Sequence, residues 1–293
     1  MKYLFYPGCS MNASALEYKT STLAVIKTLG AEVQELENWT CCGTSVAPVM
    51  SDLLGLALPA RNLALAESAD GGRPLMVGCS ACYTNFRRTI LAAADPTVLS
   101  KINQALEVEN LTYKGKAQVR HLLDIFANDF GPEKIKAHVK RPLTGLKVAP
   151  YYGCQTVRPY APYDDSQHPS SMVGIIEALG ATVHHYSHEA TCCGTALVTT
   201  KPHVGYEMVA QILDGASAAD CLAAVCPMCH LNLDSYQDKA ARVLGKPVKI
   251  PVLFLPQLIG LAFGLPESDL HLKREVVPVD SVLAKLPQPV VSG

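Results

Sequence analysis

Ten of the eleven cysteines fall into two sets of five. The first is Cys9, the adjacent pair Cys41-Cys42 and Cys79-x-x-Cys82; the second is Cys154, Cys192-Cys193 and Cys226-x-x-Cys229. Each adjacent pair sits in the same phrase, Thr-Cys-Cys-Gly-Thr, at 40–44 and 191–195. The spacings nearly repeat as well: 31 intervening residues from Cys9 to Cys41 and 36 from Cys42 to Cys79, against 37 and 32 in the second set. Side chains of neighbouring residues diverge, so a disulfide between them is strained and a shared partner of several atoms accounts for the pair better. The glycine that follows fits such a partner: it has no Cβ and accepts a positive φ where the backbone folds closely around a bulky inorganic group.

A single Cys-x-x-Cys would fit structural zinc or a thioredoxin-like dithiol. Zinc is satisfied by four ligands and a cubane iron–sulfur cluster also takes four, whereas each half offers five thiolates. The fifth donor favours an iron–sulfur cluster with an opened or enlarged frame, in which thiolates bridge irons. A bare dithiol leaves the adjacent pair unexplained. Cys221, outside both sets, reads as a small buried hydrophobe.

The 293 residues are long enough for two ordinary domains, and the doubled motif places them at 1–140 and 141–293, joined through the Gly- and Pro-bearing stretch 131–145. Hydrophobic residues make up 49% and charged ones 17%, a packed globular chain with little surface charge, part of it available to a partner. A net charge of −1 gives no electrostatic case for nucleic acid or an anionic membrane. No run of 18 apolar residues marks a membrane span, and residues 1–9 are too short, and broken too early by Pro7, for a signal peptide. Cysteine-rich without a secretion signal, the chain is expected in a reducing cytoplasm.

The elements that must position the cysteines alternate between strand and helix. Strands are expected at 2–6, 33–36, 74–78 and 119–123, then at 146–152, 182–185, 222–225 and 248–255. Helices are expected between them, among them 16–29, 51–68 with a kink or break at Pro59, 171–179, 203–213 and 228–244. The fold class is therefore α/β: two pseudo-symmetric repeats, each a mostly parallel sheet flanked by helices. Cys9, Cys79, Cys154 and Cys226 all fall just after expected strands, at the carboxyl edge where such sheets gather ligands. A pseudo-twofold pairing of the halves would bring the two sites together.

The paired cysteine pattern resembles the CCG domain, and its arrangement along the whole chain resembles the B-subunit of heterodisulfide reductase. All ten cysteine positions match. The resemblance implies two noncubane [4Fe-4S] clusters, one held by Cys9, Cys41, Cys42, Cys79 and Cys82, the other by Cys154, Cys192, Cys193, Cys226 and Cys229. It implies a catalytic component that reduces a small-molecule disulfide, coenzyme M–coenzyme B heterodisulfide in methanogens. The implied partners are the ferredoxin-like C-subunit and the flavoprotein A-subunit of heterodisulfide reductase, with a hydrogenase or formate dehydrogenase in a larger complex. The chain carries neither a flavin fingerprint nor a ferredoxin cysteine quartet, so electrons must come from such partners. Two facing clusters delivering one electron each would match the two-electron cleavage of a disulfide.

Beyond the cysteines, candidate site residues are His230 after Cys229, and Gln155 and Arg158 in the loop 155–169, which also carries Tyr160, Tyr163, Asp164, Asp165 and His168. Family members often place a histidine where this chain has Gln155. His184, His185 and His188 precede Cys192, and Arg87 and Arg88 follow Cys82. Two other roles share the cluster chemistry: a sulfur-oxidising subunit, and a non-catalytic electron-transfer subunit of a quinone-linked dehydrogenase.

Overall fold

The computed structural model describes residues 1–69, 72–160 and 162–287, so the last six residues of the second expected unit lie outside the described residues. The first half runs β1 (Lys2–Tyr6), α1 (Gly8–Met11), α2 (Leu16–Thr28), β2 (Glu32–Glu35), α3 (Val46–Met50), α4 (Asp52–Ser68), β3 (Leu75–Val77), α5 (Ser80–Ala92), α6 (Pro96–Leu106) and β4 (Val119–His121). A short α7 (Leu122–Asp124) widens into a π-helical turn over Ile125–Phe130, and α8 (Gly131–Ala137) lies in the connection. The second half follows with β5 (Lys147–Tyr151), α9 (Cys154–Val157), α10 (Val173–Ala178), β6 (Thr182–Val183), α11 (Pro202–Gly215), β7 (Cys221–Ala224), α12 (Pro227–Ser235), α13 (Gln237–Leu244), β8 (Val252–Phe254) and α14 (Leu255–Phe263).

Each half forms a four-stranded sheet, ordered β2-β1-β3-β4 and β6-β5-β7-β8, and all pairs are parallel. In this order the chain moves one way from β1 to β2 and the other way from β1 to β3, which opens a crevice at the carboxyl ends of the two middle strands. Alternation along β1 sends Tyr3 and Phe5 into one apolar cluster and Leu4 and Tyr6 into another. Both clusters also take residues of the second half: Val148 and Leu253 in one, Tyr151 and Leu222 in the other. The halves are thus repeats in topology that share their cores.

Two expectations about helices need correction. Pro59 neither breaks nor ends α4, which runs unbroken from Asp52 to Ser68. Proline supplies no N–H to the carbonyl four residues earlier, that of Gly55, and Arg88 fills the gap by donating to Gly55 O at 2.6 Å. The helix expected over 228–244 is two helices that part at Tyr236, where φ is −106° and ψ is 20°. There the Gln237 amide pairs with both backbone groups of Ile250, accepting at 2.9 Å and donating at 2.7 Å. That side chain takes the ladder positions before β8, so the strand expected from residue 248 spans only Val252–Phe254.

Candidate metal centre

The carboxyl edges of the middle strands deliver the cysteines. β1 and β5 lead through Gly8 and Gly153, at φ +63° and +68°, into Cys9 on α1 and Cys154 on α9. β3 and β7 lead into Cys79 and Cys226, which cap α5 and α12, so Cys82 and Cys229 stand in the first turns of those helices. Their hydrogen bonds, with Cys42 and Cys79 at Cys82 and with Cys193 and Cys226 at Cys229, together with burial push both thiols well above the ordinary range. The adjacent pairs enter on the loops that follow β2 and β6.

The sulfurs gather without disulfides; all eleven cysteines are free. Cys42 Sγ lies 3.1 Å from Cys82 Sγ, and Cys193 Sγ lies 3.6 Å from Cys229 Sγ. Hydrogen bonds from Cys41 and Cys82, against the cost of burial, pull the Cys42 thiol down to about 3. A hydrogen bond from Cys154 holds Cys192 at about 6, and the proton donors Cys41 and Cys154 are pushed up in turn. Cys79 and Cys226 face each other across the halves: the carbonyls of the residues before them, Gly78 O and Val225 O, lie 3.1 and 3.0 Å from one and the same hydroxyl, that of Tyr18. Bonds from Cys229 and Cys79, with the N–H of Ser80 in the opposite half, hold Cys226 well below the ordinary thiol range despite burial.

At the glycines before the leading cysteines the cradle brings sulfur close to the backbone. A Cβ on Gly153 would lie 3.0 Å from Cys229 Sγ, and one on Gly8 would lie 3.4 Å from Cys82 Sγ. Cys42, Cys79, Cys82, Cys193, Cys226 and Cys229 are buried, while Cys9, Cys41 and Cys192 are exposed and Cys154 is half-buried. Five soft donors per half, free of disulfides and closed on the protein side but open on the other, fit an iron–sulfur cluster in each set.

A matched scaffold holds the pair loops. Tyr6 and Tyr151 donate to Thr40 O and Thr191 O, each at 2.8 Å. Asn85 donates to Cys42 O at 3.2 Å and Thr44 O at 2.8 Å, and its counterpart Asn232 donates to Cys193 O at 2.8 Å. None of these four stands out from the sequence alone. Aligning the halves on their cysteines finds them: the tyrosines stand three before each leading cysteine and the asparagines three after each last one.

The other sequence candidates take varied places. Gln155 is exposed beside Cys154. The Arg158 guanidinium donates to Ser166 O and Ala190 O, tying its loop to the segment before Cys192. The same loop is bound internally by Asp164, which accepts from Asp165 N and Ser170 N at 2.9 Å and from Ser171 N at 3.0 Å. His230 is buried, its Nε2 2.9 Å from Val252 O and 2.8 Å from Glu275 Oε2. Burial acts to lower its pKa, the Glu275 carboxylate to raise it, and the carboxylate prevails. Asp234 accepts from Val276 N and Val277 N at 2.7 and 3.0 Å, so His230 and Asp234 clamp residues 275–277 onto α12. His184 bonds Gly215 O and His185 pairs with Glu189. Cys221 is fully buried in β7.

Two parallel α/β halves, each converging five cysteines at its carboxyl edge, define a doubled cysteine-rich module. The CCG cysteine-rich domain profile matches twice, over residues 3–87 and 148–234, each match covering one complete cysteine set. The chain belongs to this CCG family and is of the heterodisulfide reductase B-subunit type. It is 36% identical to the 8-methylmenaquinol:fumarate reductase membrane anchor subunit of Wolinella succinogenes, over 94% of this chain and 97% of that one. It is 30% identical to a heterodisulfide reductase B-subunit-like protein of Archaeoglobus profundus, with 98% of each chain covered. Identity to the B-subunit of the ferredoxin/F420H2-dependent CoB-CoM heterodisulfide reductase of Methanosarcina acetivorans is 29%, with 97% of each covered. A solved Helicobacter pylori protein titled hypothetical shares the fold at TM-score 0.75 and 17% identity, over 94% of this chain and 52% of that longer one.

Proposed function

We propose that the chain is the iron–sulfur subunit of a multi-subunit oxidoreductase, that each set of five cysteines holds one noncubane [4Fe-4S] cluster, and that the pair serves the reduction of a disulfide. The observation that carries the reading is that two complete sets of free cysteines meet, the strand ends that lead into Cys79 and Cys226 closing on one shared hydroxyl. Cleavage of one disulfide consumes two electrons and two protons and yields two thiols; bound clusters supply such electrons singly. The exposed face of Cys9, Cys41 and Cys192 is the side open to a substrate, and the buried cysteines exclude water from the other. Of the three other candidates, Gln155 is exposed next to Cys154, Arg158 shapes the loop beside it, and His230 holds residue 275 against α12. The two sets divide the chain into functional units at 1–140 and 141–293.

Electrons come from partner subunits, a ferredoxin-like protein and a flavoprotein, in the pattern of the heterodisulfide reductases. The exposed apolar residues Val46, Val49, Met50, Leu53 and Leu54, next to Cys41-Cys42, support a subunit contact there. An array of free thiols belongs in a reducing cytoplasm.

A second reading, electron transfer to or from a quinone, is favoured by the 36% identity to the menaquinol:fumarate reductase subunit. No helix among the described residues is long and apolar enough to cross a membrane. The test is iron, acid-labile sulfide and zinc on anaerobically purified protein, then oxidation of a reduced viologen with a small disulfide or a naphthoquinone as acceptor. The leading reading expects about eight irons per chain and two thiols formed per disulfide consumed. Full iron with quinone as the only acceptor moves the assignment to the second reading, and zinc without sulfide ends both.

A further inference from the structure

Tyr18 lies on α2 with its side chain fully buried. Its hydroxyl stands 3.1 Å from Gly78 O and 3.0 Å from Val225 O. Those carbonyls belong to the residues immediately before Cys79 and Cys226, in opposite halves of the chain. A phenol carries one proton, so a single donor is shared between two acceptors. Gly78 makes room for it: a Cβ there would meet Met11 Sδ at 2.9 Å and Tyr18 Cε1 at 3.3 Å.

The ring is pinned from the far side. It stacks on Phe254 at 4.1 Å with planes 3° apart, and Phe254 stacks in turn on His230 at 4.0 Å and 13°. Next to Tyr18, Glu17 accepts from Arg274 at 2.7 Å. A residue of the first half is therefore built into the second.

The mirror position behaves differently. Tyr163 follows Cys154 by nine residues as Tyr18 follows Cys9, and it too stacks on the opposite half, on His121 at 6.4 Å and 8°. Its hydroxyl, however, donates to Thr156 O within its own half. Of this pair, Tyr18 alone reaches both strand ends.

We infer that Tyr18 is a positioning residue that couples the two cysteine sets, one hydroxyl shared between the strand ends setting the distance and relative motion of Cys79 and Cys226. The inference rests on the reading that both sets hold clusters, and it extends that reading by naming what keeps them in register. Burial pushes the phenol well above its ordinary range, so it remains a neutral donor.

The experiment compares full-length wild type, Tyr18→Phe and Tyr163→Phe, purified anaerobically. Phenylalanine keeps the stack and removes only the hydroxyl. At equal iron and sulfide, Tyr18→Phe is expected to weaken the magnetic interaction between the two reduced clusters in the electron paramagnetic resonance spectrum and to change the separation of their midpoint potentials, while Tyr163→Phe leaves both as in wild type. Iron lost from both sets together in Tyr18→Phe but not in Tyr163→Phe also supports the coupling role. Unchanged spectra and potentials, or iron lost from one set only, overturn it.

A metal-free readout separates this failure from that of the functional reading. In the apo chain, loss of a hydrogen bond worth about 1 kcal/mol is expected to speed amide exchange about fivefold in segments 76–83 and 223–230 together. Acceleration of one segment alone, or of neither, overturns the inference even if wild type binds no iron.

Discussion

After Thr44 the first half turns Val46, Val49, Met50, Leu53 and Leu54 outward, with Val49 at 87% and Met50 at 74% exposure. After Thr195, the same point of the second half, the chain turns Thr199, Thr200, Lys201 and His203 outward. The inner walls behind these segments are alike down to paired tyrosine and asparagine donors. One ligand scaffold has thus been kept twice while its outer surface diverged. Sulfur geometry tolerates little change because even a Cβ at Gly8 or Gly153 would meet a cysteine sulfur, whereas outward side chains meet only solvent or a partner. The aromatic wall shows the same freedom: Tyr83 meets His121 edge-on at 5.5 Å in one half, and His230 lies flat on Phe254 in the other.

The largest test of this likeness is at the sulfurs. Cys82→Ala and Cys229→Ala are each expected to remove about half of the iron, roughly four atoms of eight, as measured by metal analysis. Loss of all iron from either variant would break the comparison, since the sets would then fill only together.

Acid should separate the halves next. Burial holds His121 at about 4, whereas its counterpart Phe254 does not titrate. The unfolded chain takes up this proton first, near the ordinary histidine value of about 6.5. The contribution of a neutral His121 is therefore complete above that pH, falls as pH drops toward 4, and amounts to on the order of 3 kcal/mol. Denaturant melts of the apo chain should show that loss between these pH values, and His121→Phe should flatten it. An unchanged slope in the variant would assign the acid sensitivity to other groups.

A smaller difference is expected at the cradle glycines. Gly153→Ala places a methyl 3.0 Å from Cys229 Sγ, against 3.4 Å from Cys82 Sγ for Gly8→Ala, and both leave an L-residue at positive φ. A non-glycine residue held at such positive φ costs about 1–3 kcal/mol, and only Gly153→Ala should also lower iron retention markedly. Equal iron loss in the two would show that the cradles are equally tight.

The smallest effect on stability, within about 0.5 kcal/mol, is expected from Val49→Lys with Met50→Lys on the apolar surface. The same change should abolish co-purification of a partner subunit with the tagged chain. Unchanged co-purification would place the subunit contact elsewhere.

Much of the architecture is legible in the sequence because strand-to-helix rhythm and repeated cysteines are local patterns. The four cysteines after β1, β3, β5 and β7 are expected at the carboxyl edges, and they stand there because a parallel sheet points all its strand ends one way. The behaviour of α4 at Pro59 is not legible, since the donor that replaces the missing N–H comes from Arg88, 33 residues from Gly55. The ends of α12 and β8 escape sequence reasoning for the same reason: the Gln237 amide stands in for a neighbouring strand.

By itself, then, the sequence determined the two cysteine sets, the four-strand repeat and the absence of any long apolar span, all of which depend on residue type and spacing. The tertiary structure alone decided that the strand ends before Cys79 and Cys226 close on each other, that Tyr18 serves both of them and that His230 pairs with Glu275. Those facts join residues up to 207 positions apart, and no local pattern encodes which distant group reaches a buried donor first.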